Sequence, residues 1–72
     1  MSAADALLSQ IKQLGWAVSI HRVNGTIEMH AIPLDGESDP QIARCNDGDG
    51  PEEYFRCACL LASAVGIRLD DG

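Results

Sequence analysis

Seventy-two residues with eleven acids against five bases, a net charge of −6, leave room for one domain and none for separate catalytic and regulatory units. A chain this short buries only about 60% of the surface its unfolded form exposes, which argues against a deep enclosed substrate cavity. Its negative field repels nucleic-acid phosphates and anionic lipid, so basic partners are favoured and direct nucleic-acid binding is not expected.

Hydrophobic residues make up 46% of the chain and are spread over periodic segments, as in a protein that folds. The longest apolar run, Cys57 to Ala62, is far shorter than the ~20 residues a bilayer span needs. No membrane helix is therefore predicted. Met1-Ser2-Ala3-Ala4-Asp5 lacks the basic region and long apolar run of a secretory signal, so a cytoplasmic location is expected. The three cysteines, Cys45, Cys57 and Cys59, cannot all pair within one chain and read as reduced thiols.

The first helix starts at Ser2 with Asp5 in its first turn and runs to about Leu14. Ala4, Leu7, Leu8, Ile11 and Leu14 fall on one face, and Gly15 ends the helix. From Trp16 to Val23 the period changes to two. Asn24-Gly25 then signals a type I′ hairpin turn, and Thr26 to about Leu34 forms the return strand. A two-residue loop fixes the register: Val23 faces Thr26, His21 faces Glu28, Ile20 faces Met29, Ser19 faces His30 and Trp16 faces Pro33. One face then collects Trp16, Val18, Ile20, Ile27, Met29 and Ala31. The other collects Ser19, His21, Thr26, Glu28 and His30, the pattern of a sheet covered on one side only.

After the polar loop Asp35 to Pro40, Gln41 to Asn46 alternates as a third antiparallel strand, with Ala43 and Cys45 inward and Ile42 beside Ile32 and Ala17 on the outer face. The second helix opens at Pro51-Glu52-Glu53 and runs to about Val65, with Gly66 after it. Tyr54, Ala58, Leu61 and Val65 form one row and Phe55, Cys59 and Ala62 the next, with Cys57 the more exposed thiol. That arc is wider than one sheet face needs, so this helix packs between sheet and first helix or has a second partner, and Ile67 and Leu69 extend it.

The predicted fold is α+β in the order α-β-β-β-α, a three-stranded antiparallel sheet with both helices packed on one face. In element order it is similar to the double-stranded-RNA-binding domain. That family grips phosphate with a lysine-rich start to its second helix and a Gly-Pro-x-His loop between its first two strands. Here those places hold Pro51-Glu52-Glu53 and Asn24-Gly25, so duplex-RNA binding is disfavoured and no functional residue carries over.

Both helices are expected to begin at the Asn24-Gly25 end, where Asp5, Asp47, Asp49, Glu52 and Glu53 would offset the helix dipoles and leave a negative patch. His21, Glu28 and His30 share the outer sheet face, where two imidazoles and a carboxylate are a donor set for zinc or iron. Cross-strand pairing accounts for them without a metal, and no cofactor is predicted. Asn46-Asp47-Gly48-Asp49-Gly50 evokes a calcium loop. Aligning its Gly50, however, puts Cys45 at the first ligand position and Arg56 at the twelfth, where a glutamate is required. No nucleophile motif, phosphate loop or paired-carboxylate spacing is present, and no enzyme is predicted.

The sequence therefore points to a small protein-protein interaction module that uses the broad second-helix face or the Ile32 and Ile42 strip. Its partner would be a protein, of basic character or a second copy of the chain. The alternative is an acidic inhibitor or nucleic-acid mimic that places Asp47, Asp49, Glu52 and Glu53 in a basic groove.

Overall fold

The structure, a computed structural model, describes residues 3–48 and 50–67. Its elements are α1 (Ala3–Gln13), β1 (Trp16–Val23), β2 (Thr26–Pro33), β3 (Gln41–Asn46) and α2 (Pro51–Ala64), with the strands in the order β1-β2-β3. The predicted architecture is present, both helices lying on one face of the sheet. The reading of Ser2 as a helix start, and that of Leu69, lie outside the described residues.

The hairpin forms as its turn chemistry dictates. Asn24 and Gly25 both have positive φ, 51° and 77°, the type I′ geometry whose twist matches the flanking strands. The ladder from Trp16↔Pro33 to Val23↔Thr26 has the expected register at all eight pairs. It continues beyond the strands, where the Leu34 amide donates to the Gly15 carbonyl at 3.0 Å and ties the end of α1 to the end of β2. At the other end the Asp47 amide donates to the Gly25 carbonyl at 2.7 Å, so the segment leading into α2 is fastened to the hairpin turn. α1 thus finishes at the Pro33 end of the sheet and α2 starts at the Gly25 end.

α2 closes with a Schellman arrangement. The Ile67 amide donates to the Ala62 carbonyl at 2.9 Å and the Gly66 amide to the Ser63 carbonyl at 3.1 Å, which satisfies carbonyls the helix would otherwise leave unpaired. Ile67 returns against the core.

Ala4, Leu8 and Ile11 of α1, Ile27, Met29 and Ala31 of the central strand, Ala43 of β3, and Cys57, Ala58, Leu61 and Ala62 of α2 form the core. No residue of β1 is fully buried. Trp16 and Val18 are half-buried, and Ile20, assigned by its alternation to the core face, keeps 38% of its surface because α2 covers β2 and β3 and leaves this edge chiefly to α1.

In α2 the predicted row of Tyr54, Ala58, Leu61 and Val65 lies in or against the core, but the flank of that row differs from the predicted one. Cys57, expected to be the more exposed thiol, is fully buried, whereas Phe55, placed in an inward row, is 41% exposed and Cys59 is half-buried. Nearly every position from Tyr54 to Ala62 is apolar, so periodicity could not choose that flank. The inner stripe combines Leu61 with the small side chains of Cys57, Ala58 and Ala62, which fit together against the sheet, while Phe55 and Leu60 stay outside.

Candidate functional site

Three regions carry the residues singled out by sequence. On the outer sheet face the register stacks His21, Glu28 and Arg44 in one row and Ser19, His30 and Ile42 in the next. Although His21 lies directly opposite Glu28, the two do not pair. His21 Nε2 and Ser19 Oγ are hydrogen-bonded at 2.8 Å, while His30 Nε2 donates to Glu28 Oε1 at 3.1 Å and Arg44 Nε donates to Glu28 Oε2 at 3.1 Å. The imidazoles of His21 and His30 meet edge to face, with centroids 4.9 Å apart. The hydrogen bond from His30, opposed by partial desolvation and reinforced by the Arg44 cation, holds the Glu28 carboxyl below the usual carboxylate range. Both carboxylate oxygens are thus engaged and a guanidinium stands beside them. Among the described residues no group of three or more His, Cys, Asp or Glu side chains is placed to hold a metal ion. The chemistry of this row is that of a buttressed ion pair on a wet sheet.

Ile32 and Ile42 are on this face, 46% and 50% exposed. Ile42 sits opposite His30, two rungs from the Ala17↔Ile32 pair, so the apolar strip exists but lies diagonally across the face.

At the hairpin end, the acids expected to form a negative patch are partly neutralised. Asp47 Oδ2 is 3.5 Å from Arg22 Nε, and Glu53 Oε1 is 3.7 Å from Arg56 Nη1. The Arg22 guanidinium also lies 5.7 Å from the centre of the Tyr54 ring, so one cation joins β1, the loop before α2 and α2 itself. Asp5 and Glu52 are exposed in the first turns of their helices. Asp49 lies outside the described residues.

The third region lies on the outside of the helix layer. Ala3, Ala6, Leu7 and Gln10 of α1 face Phe55 and Cys59 of α2 across an open, mainly apolar groove of about 420 Å³. A smaller depression of about 250 Å³ lies on the other flank of α2, lined by Arg44, Cys45, Asn46, Glu53, Arg56 and Leu60. Its walls are polar apart from Leu60, which is 50% exposed. Sequence marked α2 as too apolar for one interface and Leu7 as apolar, but Ala3, Ala6 and Gln10 on the α1 side of the groove carry no signal until the helices are placed together.

Comparison with known families, curated proteins and solved structures finds no match.

The cysteines divide by environment. Cys57 Sγ donates to the Ala43 carbonyl at 3.4 Å within the core, and burial, with the neighbouring Cys45 thiol adding to it, pushes its pKa up to about 12. Such a thiol is a packing group with a weak donor, not a nucleophile. Cys59 lines the groove and Cys45 the polar depression. No helix among the described residues is long and apolar enough to cross a membrane.

Proposed function

We propose that the protein is a noncatalytic protein-protein interaction module that takes an apolar anchor of its partner into the groove between α1 and α2. The observation that carries this reading is α2 itself. It already packs against the sheet and against α1, yet it leaves Phe55 41% exposed beside Leu7 and Cys59 in a groove of about 420 Å³. An exposed aromatic at the rim of a mainly apolar groove is the kind of surface into which a partner's apolar side chain can be received. Asp5 and Glu52 stand where both helices begin, so a partner with basic groups beside its apolar anchor fits best.

The sheet face fits the role less well, because its charged side chains satisfy one another and Ile32 and Ile42 lie apart along a diagonal. The test is capture of a partner from the native host by the unaltered chain, by Phe55→Glu and by Ile42→Glu, each over a salt series. The reading expects binding that survives high salt and is lost in Phe55→Glu alone. Binding abolished by salt, and by neutralising Asp47, Glu52 and Glu53, would replace it with the acidic-mimic reading. Loss in Ile42→Glu alone would move the site to the sheet.

A further inference from the structure

Among the described residues the sheet has two unpaired edges, β1 and β3, and they are not equivalent. The hydrogen bonds Leu34→Gly15 and Asp47→Gly25 fix the parity of both ladders. In β1 the odd-numbered residues exchange hydrogen bonds with β2, and Val18, Ile20 and Arg22 turn their N–H and C=O groups outward; in β3 the outward residues include Ile42 and Arg44. Natural sheets guard such edges with proline, lysine, bulges or very short strands. β3 is six residues long and preceded by Pro40; its outward Arg44 has a counterpart in Arg22 of β1, so length and proline are what set the two edges apart. β1 has eight residues in unbroken register, with no proline, lysine or bulge, and holds none of the chain's eleven acids.

We infer that β1 is a self-pairing edge: two copies of the chain join antiparallel through this strand about a two-fold axis at Ile20, giving a continuous six-stranded sheet. Ile20 stands almost at the midpoint of β1, so that axis overlaps residues 17–23 of both copies and pairs Val18 with Arg22, Ser19 with His21 and Ala17 with Val23 of the partner. No like charges fall opposite one another, since the two Arg22 side chains each face a Val18. The two Ile20 side chains meet on the helix side of the sheet, where each copy alone leaves that residue 38% exposed, and directly opposed aliphatic pairs are among the contacts that stabilise sheets. The same operation applied to β3 sets Arg44 against Arg44, or about Ile42 opposes Arg44 to Pro40, so the self-complementarity belongs to β1. This surface is separate from the helix groove, so groove variants leave the pairing unchanged.

Amide hydrogen exchange of the unaltered chain at low and high concentration, alongside sedimentation equilibrium, tests the inference. The expected result is a mass that doubles from 7.7 kDa as concentration rises. Exchange at Val18, Ile20 and Arg22 should slow together by roughly tenfold where roughly nine-tenths of the chains are paired, while Ala17, Ser19 and His21, already bonded to β2, stay constant. Ile20→Lys, at a position exposed enough to accept it, should remain a monomer with an unchanged circular dichroism spectrum. A monomer at every concentration overturns the inference. So does a dimer whose added protection appears on β3 or the helices, or a well-folded Ile20→Lys that still doubles in mass.

Discussion

Glu28 and Arg44 meet as directly paired residues across the β2-β3 ladder, with Oε2 and Nε 3.1 Å apart, while the other oxygen of the same carboxylate accepts from His30. A carboxylate bonded twice on an exposed surface stays ionised to lower pH than usual, and that preference feeds back on folding. Because the folded state lowers the Glu28 pKa, its contribution is present above the ordinary carboxylate range and is lost as pH falls through the folded value. Glu28→Gln should therefore lower the melting temperature slightly at neutral pH and make no difference in acid, with the gap shrinking in high salt. Thermal melts of the two proteins over an acid pH series check this; a gap that widened in acid would contradict it.

Leu61 is completely buried between the helices and the sheet. Removing such a side chain costs about 2–5 kcal/mol when the surroundings cannot collapse, and a core this small supplies about 3–5 kcal/mol in all. Leu61→Ala is thus expected to be largely unfolded in water, whereas Leu60→Ala, half exposed one residue away, should denature in urea close to the unaltered protein. Equal midpoints for the two variants would place Leu60 and Leu61 in equivalent environments and contradict the inner stripe of α2.

Gly50 caps α2 at φ 92° and ψ −178°, a backbone state essentially reserved for glycine. An added Cβ would meet no atom within 4 Å, so any cost of Gly50→Ala comes from the backbone alone. The expected loss is about 1–3 kcal/mol in denaturant unfolding. A synthetic chain with D-alanine at the same position should recover most of it, since the mirror-image residue accepts positive φ. If both alanines destabilise equally, the strain account fails.

The thiols should be told apart by alkylation. In the native protein at mildly alkaline pH, Cys59 is expected to react first, Cys45 more slowly and Cys57 only on unfolding, as peptide mass mapping would show. Burial raises the Cys57 pKa above its unfolded value, so its stabilising contribution is complete below the ordinary thiol range and declines as pH climbs toward about 12. Rapid native labelling of Cys57 would refute its place in the core.

How far the sequence could be read depended on the kind of signal each segment offered. Asn24-Gly25 determined the hairpin and, through the two-residue loop, every rung of the first ladder, because turn geometry and side-chain alternation agree there. α2 was only half legible: spacing found the row Tyr54, Ala58, Leu61 and Val65, but with Tyr54 to Ala62 nearly all apolar the choice of Cys57 over Phe55 and Cys59 beside it was settled by packing. The candidate site divided in the same way. The placement of His21, Glu28, His30, Ile32 and Ile42 on one face followed from alternation. The bonding among them did not, because Arg44 enters from a strand sixteen residues away and takes an oxygen that a metal would have needed. The Arg22 pairs with Asp47 and Tyr54 were likewise invisible until the loop before α2 had a position.

Every strand pairs only with its neighbour in sequence, so the meander can assemble from local contacts and fold quickly. The groove is different in kind: Ala3 and Cys59 sit on segments separated by most of the chain and come together only when both helices have docked. A ligand of that groove would engage finished molecules alone, discriminating them from partly folded ones, and its binding would add directly to the resistance of the native state against opening.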